Sequence, residues 1–409
     1  MKKSLTHFVI IAFVIVISCF LTYLITFSET DKFWKDRIDD MLSSDSGEES
    51  KSLGDLSEAV NERFIYSTDS EKLSDGVKSG YVSALQDKYA MYMTHEEFHK
   101  YLSFAQQTSD VGIGVSTIHD SSLDGIRIIN VYENSPAERG GIVPGDMILE
   151  VDGVSVKELG YYGVMYELGR NDLESQITVT VKKLDGSVKD VAVKRRSVDV
   201  SNITGTNLKN KIGLIRISAF EKGDMELFKS ILESLLRSGC EKFVLDVRNN
   251  PGGDMDEITS ILDFLIGEGN LFTVSQKSGV TDTKVSKHKS VPYPIAIVMN
   301  ERTVCGAELF ACVLSSFDMA ELFGTTTYGK ATTQSLSELP DGSAVGFSDT
   351  KYVAASGVDF DGVGLVPDKE VVLDTQTLMR FTTLSSADDA QLQAAVEYLK
   401  EQSVVYAKD

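Results

Sequence analysis

The stretch Phe243–Gly253, written FVLDVRNNPGG, decides the fold of this chain. Its first five residues form an apolar run interrupted only by Asp246, which is typical of a strand buried on both faces, and Pro251 and the two glycines end that run in a turn. The residues after the turn, EITSILDFLIG, have helical periodicity. A buried strand followed directly by a helix indicates an α/β architecture.

Strands and helices alternate on both sides of this stretch. IGLIRIS, which begins at Ile212, and PIAIVMN, which ends at Asn300, are further apolar runs of strand length, while MELFKSILESLLRSG and AELFACVLSSF have helical periodicity. Strands of a parallel sheet are continuous apolar runs because crossover helices cover both faces. We therefore predict an α/β core over residues 197–380 and a C-terminal helix over 381–409, within an α/β multidomain chain.

Shorter β-type runs dominate residues 109–196. GIGVSTI is followed there by the loop SPAERGGIVPGD and then by VDGVSV. This order resembles a PDZ domain of the bacterial protease type, with a generic small β domain as the alternative. The resemblance implies that Gly112, Ile113, Gly114 and Val115 run beside a free sheet edge, where glycines let the terminal carboxylate of a protein tail approach backbone N–H groups.

The N-terminal region is typical of a membrane anchor. Residues 8–27, FVIIAFVIVISCFLTYLITF, are uncharged and mostly apolar, and as a helix they would span about 30 Å, the thickness of a hydrocarbon core. Lys2 and Lys3 precede this stretch, so the positive-inside rule leaves residues 1–7 in the cytoplasm. We therefore expect a single-pass protein of the cell membrane with the bulk of the chain on the extracytoplasmic side.

Two other interpretations of the apolar stretch stay open. A cleaved secretory signal is one, although its apolar region is normally shorter than residues 8–27. A lipoprotein processing site at Val16-Ile-Ser-Cys19 is the other, although the apolar run continues past that cysteine. Beyond the stretch, acidic and polar residues at 28–54 predict a solvated stalk, and residues 55–108 have the periodicity of a helical region.

Charge and cysteine content exclude several functions. The formal net charge of −21 argues against nucleic acid as a partner, since its phosphates would be repelled. Beyond the apolar stretch the cysteines are Cys240, Cys305 and Cys312, whose irregular spacing suggests neither a disulfide framework nor a zinc site. The sequence likewise carries no metal or nucleotide signature, so we expect no cofactor.

Several strings together resemble the carboxy-terminal processing peptidases, which are serine proteases that use a Ser–Lys dyad. Besides FVLDVRNNPGG, these strings are LQDKYAMYM, YGKATTQ, LPDGSAV and GVGLVPD, and they occur in the family's order. The PDZ domain is inserted where the family has one. The resemblance covers most of the chain after the apolar stretch, and it implies an endopeptidase that acts on proteins with exposed C-terminal tails.

The family's catalytic spacing identifies the residues of the expected dyad. In the family the nucleophilic serine opens a helix three residues before a glutamate; the lysine follows twenty-five residues after the serine, and a glutamine lies four beyond the lysine. In this sequence the glutamate is Glu308, the lysine is Lys330 and the glutamine is Gln334. Both counts lead back to Cys305, so the chain departs from the family by a sulfur atom in place of an oxygen atom.

A cysteine changes the chemistry that we expect of the dyad. An unperturbed thiol has a pKa of about 8.5, and a helix N-terminus or an adjacent ammonium lowers it. Cys305 and Lys330 are therefore expected to form a thiolate–ammonium pair at neutral pH. Gln334 is one turn beyond the lysine if the segment is helical, and would hold the lysine by a hydrogen bond.

The glycines of the opening stretch are candidates for oxyanion binding. By position, Gly252 and Gly253 have the flexibility to aim backbone N–H groups at a developing oxyanion, with Gly306 N–H as a further donor. A glycine turn that only closes a strand is the alternative for the first two. Arg248 and Asn249 suit either a brace for this loop or an exposed strand end.

Two functions remain open at this point. The first is a membrane-anchored peptidase that recognises tails through its PDZ domain and cleaves with a Cys/Lys dyad. The second is an inactive pseudopeptidase that only binds tails, because a larger sulfur disturbs attack geometry where about 1 Å matters. The resemblance also implies that an arginine near the last PDZ helix couples the domains, and Arg170 in ELGRNDLESQI is nearest. Amphipathic helices at 55–108 and 385–402 are consistent with a homodimer and equally with packing on the chain's own core.

Overall fold

A computed structural model of the chain describes residues 46–105, 111–198, 201–381 and 384–404. The predicted cytoplasmic N-terminus at 1–7, the predicted membrane helix at 8–27 and the first part of the predicted stalk lie outside these residues. Within the described ranges, no helix has both the length and the apolar character needed to cross a bilayer. The chain divides into two compact units, residues 1–74 and residues 75–409.

The secondary structure alternates between strands and helices through most of the chain. The described helices are α1 Ser46–Arg63, α2 Ser70–Ser83, α3 His95–Ala105, α4 Pro136–Arg139, α5 Val156–Gly169, α6 Asp224–Arg237, α7 Met255–Leu265, α8 Gly306–Ser316, α9 Thr375–Leu378 and α10 Ala390–Glu401. The described strands are β1 Met91–Met93, β2 Val111–Gly112, β3 Val115–Ile118, β4 Ile126–Val131, β5 Met147–Val151, β6 Val154–Ser155, β7 Gln176–Lys182, β8 Val188–Lys194, β9 Arg196–Ser197, β10 Ile203–Asn207, β11 Ile212–Ile217, β12 Lys242–Asp246, β13 Gly269–Gln276, β14 Gly279–Ser286, β15 Ile295–Met299, β16 Ala320–Gly324, β17 Thr332–Glu338, β18 Ala344–Ala354 and β19 Lys369–Glu370.

A six-stranded sheet forms the centre of the second unit, in the order β10-β11-β12-β15-β16-β19. Strands β11, β12, β15 and β16 are parallel, with Leu245 of β12 opposite Ile297 of β15. All five residues of β15 are buried, as expected for a strand covered on both faces. The predicted α/β core is confirmed.

Side chains alternate between the two faces of this sheet. On one face, helices α6, α7 and α8 cover residues such as Phe243 and Ile297. On the other face, helix α10 packs Leu392 and Leu399 against Val244 and its neighbours. The loops after β12 and β15 lie at the carboxyl edge of the parallel strands, where open α/β sheets usually bind ligands.

A second sheet of antiparallel strands lies beside the core, in the order β1-β18-β13-β14, with β17 also paired to β18. Strand β1 interrupts the region 55–108 that was predicted to be helical, because Met91 pairs with Gly346 far along the chain. The predicted C-terminal helix over 381–409 is shorter in the structure, where Asp389 caps α10 at its start. Helix α1 begins at Ser46, so the predicted stalk is helical from that residue onward.

The PDZ domain is a separate sheet, ordered β3-β4-β5-β7-β8, with β6 beside β5. Strand β3 is an edge strand, as predicted. Helix α5 packs Val164 and Leu168 against the apolar face of this sheet. The short strands β2 and β9 pair where the chain enters and leaves the domain, which is the arrangement expected of an inserted domain.

Candidate active site

Two loops at the carboxyl edge of the central sheet form the candidate site. The loop after β12 carries Asn249 and Asn250, and the loop after β15 carries Asn300. Asn249 N donates to Asn300 Oδ1 at 3.0 Å, and Asn300 Nδ2 donates back to Asn249 Oδ1 at 2.8 Å. Val304 N donates to Asn250 O at 2.8 Å. These bonds fix the glycine turn of the first loop against the turn that carries Cys305.

Cys305 lies at the N-cap of helix α8 in a strained backbone conformation. Its φ is 54° and its ψ is −116°, a combination that L residues rarely adopt. The side chain is half-buried, and its thiol donates to Thr332 O with Sγ 3.7 Å from the oxygen. Backbone strain of about 1–3 kcal/mol persists only where surrounding contacts hold the residue, and it is common at active sites.

Lys330 lies beside this turn in a half-buried position. Its Nζ donates to Gln334 Oε1 at 2.9 Å and lies 4.6 Å from the centre of the Tyr89 ring. The helical condition attached to Gln334 in the sequence analysis is not met, because residues 332–338 form strand β17. The expected hydrogen bond between the two side chains is nonetheless present.

The electrostatics of the two groups differ from the predicted thiolate–ammonium pair. Burial raises the pKa of the Cys305 thiol, and the Lys330 charge offsets this only in part. Burial lowers the pKa of Lys330, against the attraction of the sulfur and nearby carboxylates. Both shifts are toward the neutral forms. They disfavour the predicted thiolate–ammonium pair, because desolvation opposes the effects of the helix N-terminus and of the adjacent ammonium.

Glu308 joins the two turns. Its carboxylate accepts hydrogen bonds from Cys305 N at 2.8 Å and from Lys330 N at 2.9 Å. The side chain is fully buried, and burial raises its pKa to about 7, although its hydrogen-bond donors act in the opposite direction. The glutamate of the family's motif thus contacts both turns through one side chain.

The three expected oxyanion donors have different environments. Gly252 does not present a free N–H, because it donates to Asn250 Oδ1 at 2.8 Å. Gly253 has a φ of 141°, and a Cβ there would lie 1.9 Å from Phe220 O, so only glycine fits. The N–H of Gly253 has no hydrogen-bond partner in the described part of the chain, and Gly306 N–H faces the sulfur. Gly253 N–H is therefore the donor without a described partner, and Gly306 N–H stays a candidate donor next to the sulfur.

Comparison with known proteins identifies the family of this chain. Residues 211–371 match Peptidase family S41, and residues 127–183 match a PDZ domain. A probable CtpA-like serine protease of Staphylococcus aureus (strain N315) is 30% identical over 320 residues, which cover 77% of this chain and 63% of that protein. Carboxy-terminal processing protease CtpA of Bacillus subtilis (strain 168) is 28% identical over 383 residues, which cover 91% of this chain and 78% of that protein. The chain belongs to the carboxy-terminal processing peptidases.

A solved structure agrees with this assignment at the level of the fold. The photosystem II D1 C-terminal processing protease matches 82% of this chain and 92% of its own chain, with a TM-score of 0.65 and 22% sequence identity. At this identity the likeness shows a shared fold. The chain spans 63% of the length of the S. aureus relatives, so the activity of those whole proteins is not carried over here.

The PDZ residues of this carboxy-terminal processing peptidase lie where the edge strand begins. Gly112 pairs with Arg196, and Ile113 is buried in the domain core, where its carbonyl accepts from Ala137 N at 2.9 Å. Gly114 has a φ of 81°, and a Cβ there would lie 2.3 Å from the Cβ of Ser135. Val115 begins edge strand β3. Gly114 therefore lets the chain turn into the edge strand close to helix α4.

Arg170 is the residue that the sequence analysis assigned to coupling between the domains. It follows helix α5 and makes ion pairs with Glu167 at 3.2 Å and Asp172 at 3.4 Å, both within the PDZ domain. The contacts that the structure describes for Arg170 therefore do not include the candidate dyad. Arg248, for which the sequence left a loop brace and an exposed strand end open, is buried and pairs with Asp246 at 2.7 Å and also with Asp389 at the start of α10.

Sequence reasoning missed several residues around the candidate dyad. Ile118 and Ile129 of the PDZ domain pack in one cluster with Val304 and Cys305. Asp120, also from the PDZ domain, accepts a hydrogen bond from the Tyr328 hydroxyl, and Lys88 Nζ lies 3.4 Å from the same carboxylate. The strings LQDKYAMYM and YGKATTQ carry Tyr89 and Tyr328, so these could have been noticed, whereas no motif marks Asp120.

Proposed function

We propose that this chain is an endopeptidase in which Cys305 attacks the scissile peptide bond and Lys330 moves the proton. The observation that carries the proposal is the strained N-cap position of Cys305, with Lys330 held beside the same turn by Gln334. Strain at a nucleophile, together with an amine whose pKa burial lowers, is the arrangement expected of an activated nucleophile and its base.

The first half-reaction is proposed to start from a Cys305 thiol and a neutral Lys330 amine. The neutral amine of Lys330 takes the proton of the Cys305 thiol as sulfur attacks the carbonyl carbon. A C–S bond forms, and the carbonyl π electrons move to oxygen. When the tetrahedral intermediate collapses, the C–N bond breaks, and the leaving amine takes the proton from the Lys330 ammonium. The products are a free amine and a thioester on Cys305.

The second half-reaction restores the enzyme. Lys330, neutral again, takes a proton from a water molecule as the water oxygen attacks the thioester carbon. Collapse of this second intermediate breaks the C–S bond and releases the carboxylic acid, and the Cys305 sulfur takes back the proton from Lys330. In both halves we assign the N–H groups of Gly253 and Gly306 as the donors to the oxyanion.

Tail recognition is assigned to the PDZ domain. Its edge strand β3 has a side not paired with another described strand, so an extended peptide can add there as a further strand. With the Cys305→Ala chain from residue 46, a peptide that ends in small apolar residues should bind about 1.5–3 kcal/mol more tightly as the free acid than as the C-terminal amide. Equal affinity for the two peptides would reject this part of the proposal.

Membrane anchoring through residues 8–27, with the bulk of the chain outside the cytoplasm, is also proposed. It is supported by the length and apolar character of that stretch and by Lys2 and Lys3 before it. Protease added to intact protoplasts should digest the chain. Protection of the chain, or a mature N-terminus beyond residue 27, would reject the anchor. A homodimer remains a prediction from the amphipathic helices alone.

A pseudopeptidase is the second candidate, and one observation favours it. The Cys305 thiol is hydrogen-bonded to Thr332 O, and burial raises its pKa, so the sulfur is not pre-ionised. A site built for the C–O bond of serine would leave such a sulfur inert. The two candidates are separated by incubating the chain with an unfolded protein that has an apolar C-terminus: the peptidase gives products, whereas the pseudopeptidase binds the protein and gives none.

A further inference from the structure

Four hydrogen-bond donors converge on the carboxylate of Glu308. Oε1 accepts from Thr327 Oγ1 at 2.5 Å and from Gly329 N at 2.7 Å. Oε2 accepts from Cys305 N at 2.8 Å and from Lys330 N at 2.9 Å. The side chain is 0% exposed, so these donors take the place of water around a buried charge.

Only one of these four bonds is an ordinary helix cap. A glutamate at the third helical position commonly accepts from the backbone N–H of the N-cap residue, which here is Cys305. The other three donors lie 19, 21 and 22 residues further along the chain, in the turn that leads to Lys330. The carboxylate therefore connects two segments that share no secondary-structure element.

We propose that Glu308 is the positioning residue that fixes the turn of Lys330 to the turn of Cys305. This inference rests on the proposed function, because it assumes that Lys330 serves Cys305. A carboxylate suits the task because both of its oxygens only accept hydrogen bonds, so one side chain satisfies donors from both turns. A neutral amide of the same size cannot, since its NH2 group would face two of the N–H or O–H donors.

The protonation state of Glu308 bears on this role. Burial raises its pKa to about 7, so the carboxylate gains a proton as the pH falls through neutrality. The added O–H then faces backbone donors, and the link between the turns weakens. The titratable groups that interact with Glu308 come from its own helix, from the turn of the lysine and from the segment before β1, and they are Cys305, Cys312, Tyr328, Lys330 and Tyr89.

A double-mutant cycle on Cys305 reactivity tests the proposal without requiring peptidase activity. The rate of Cys305 alkylation by iodoacetamide is measured against pH by peptide mass spectrometry, in the wild type and in Lys330→Met, Glu308→Gln and the double variant. Over the pH range in which Lys330 still carries its proton, its charge lowers the pKa of the thiol, so Lys330→Met should raise the pH midpoint of alkylation in the wild-type background. In the Glu308→Gln background the same substitution should raise it by at most about half as much, because the lysine is no longer held beside the sulfur.

A matched control and a second variant complete the design. Glu397→Gln makes the same change on the exposed face of helix α10 and should leave the effect of Lys330→Met unchanged. If Glu308→Gln lacks a cooperative thermal transition, Thr327→Val serves as the background instead, since it removes one donor and keeps the carboxylate. In the Thr327→Val background, the effect of Lys330→Met should be smaller than in the wild type but larger than the effect expected for Glu308→Gln.

Two outcomes would overturn the proposal, and a third concerns the proposed function alone. An equal effect of Lys330→Met in all backgrounds would show that Glu308 does not position the lysine. No effect of Lys330→Met in the wild type would show that Lys330 does not influence the Cys305 thiol, so that Glu308 has no interaction between them to support. Peptide cleavage is measured with the same proteins. If the effect of Lys330→Met depends on Glu308 but no protein cleaves the peptide, the peptidase is rejected while the role of Glu308 is supported.

Discussion

The Sγ atom of Cys305 lies 3.7 Å from the carbonyl oxygen of Thr332. A carbonyl oxygen only accepts hydrogen bonds, so a hydrogen bond between these two atoms carries its proton on sulfur. Burial raises the pKa of the same thiol, which agrees with a protonated resting state. Under the proposed function, the nucleophile is then generated during the reaction, by proton transfer to a lysine whose own pKa is lowered by burial.

Alkylation of the three cysteines should follow their pKa shifts and their exposure. Cys305 is half-buried with a raised pKa, so iodoacetamide should modify it only above the ordinary thiol range of about 8.5. Cys312 is 1% exposed and burial raises its pKa to about 11, so it should react later than Cys305. Mass spectrometry across a pH series checks the order. Fast modification of Cys305 at pH 7 would instead support the thiolate–ammonium pair that the sequence predicted.

Lys330→Arg should abolish most of the cleavage. Arginine keeps the positive charge but does not lose its proton in proteins, so it cannot act as a base. The expected loss in single-turnover rate is about 10²–10⁴-fold. Lys351→Arg is the matched control, because Lys351 pairs with Asp359 on the surface, and it should retain the wild-type rate. Full activity of Lys330→Arg would mean that the lysine acts only as a counter-ion.

Gln334→Glu should move the pH–rate profile to higher pH. Cleavage requires neutral Lys330, so the rate rises as pH passes through the lysine pKa, which burial lowers from its usual value. A carboxylate 2.9 Å from Nζ would favour the ammonium and raise that pKa. The rise in rate should then begin at higher pH. Gln393→Glu, on helix α10, is the control, and identical profiles for Gln334→Glu and the wild type would contradict the assigned base.

The prediction of these residues from sequence had a clear limit. The spacing of Cys305, Glu308, Lys330 and Gln334 identified the residues that the fold brings together, because the motif strings are contiguous in sequence. The sequence left the conformation of residues 332–338 open, because this strand is set by pairing with β18, as in Gln334 opposite Ser348. Strand β1 was missed for the same reason, since three residues carry no periodicity of their own.

The pKa shifts in the site could not be predicted from the sequence. A helix N-terminus and a lysine both lower a thiol pKa, and both are visible in the motif. Desolvation acts in the opposite direction, and its size depends on packing by residues such as Ile129 and Val304, one of them from the PDZ domain. The four donors around Glu308 were equally hidden, because three of them lie in a distant turn. Tertiary contacts, rather than local propensity, set these properties.

Arg248→Met should destabilise the core strongly. The Arg248 guanidinium is fully buried between Asp246 and Asp389, and removal of one partner of a buried ion pair typically costs about 3–5 kcal/mol. Arg216→Met, at a half-exposed partner of the same Asp246, should cost about 1 kcal/mol or less. Urea unfolding at pH 7 measures both. Equal small losses would show that the buried network does not stabilise the junction with helix α10.

The same network should make the folded state sensitive to acid. Burial alone would raise the pKa of Asp246, but the charges of Arg248 and Arg216 outweigh it and lower the pKa to about 2. A carboxyl with a lowered pKa stabilises the fold above its ordinary value near 4, and that stability is lost as the pH falls toward 2. The unfolding free energy should therefore decrease over this range, and decrease less in Arg248→Met. An equal decrease in both proteins would contradict the assignment.

The measurement that tests the central claim most directly is cleavage of an unfolded protein with an apolar C-terminus by three versions of the chain. Wild type, Cys305→Ala and Cys305→Ser are compared by mass spectrometry of the products. If Cys305 is the nucleophile of a working peptidase, wild type gives products that thiol alkylation blocks, Cys305→Ala gives none, and Cys305→Ser gives fewer than wild type. No products from wild type, with cleavage appearing only in Cys305→Ser, would show a silenced site still built for oxygen.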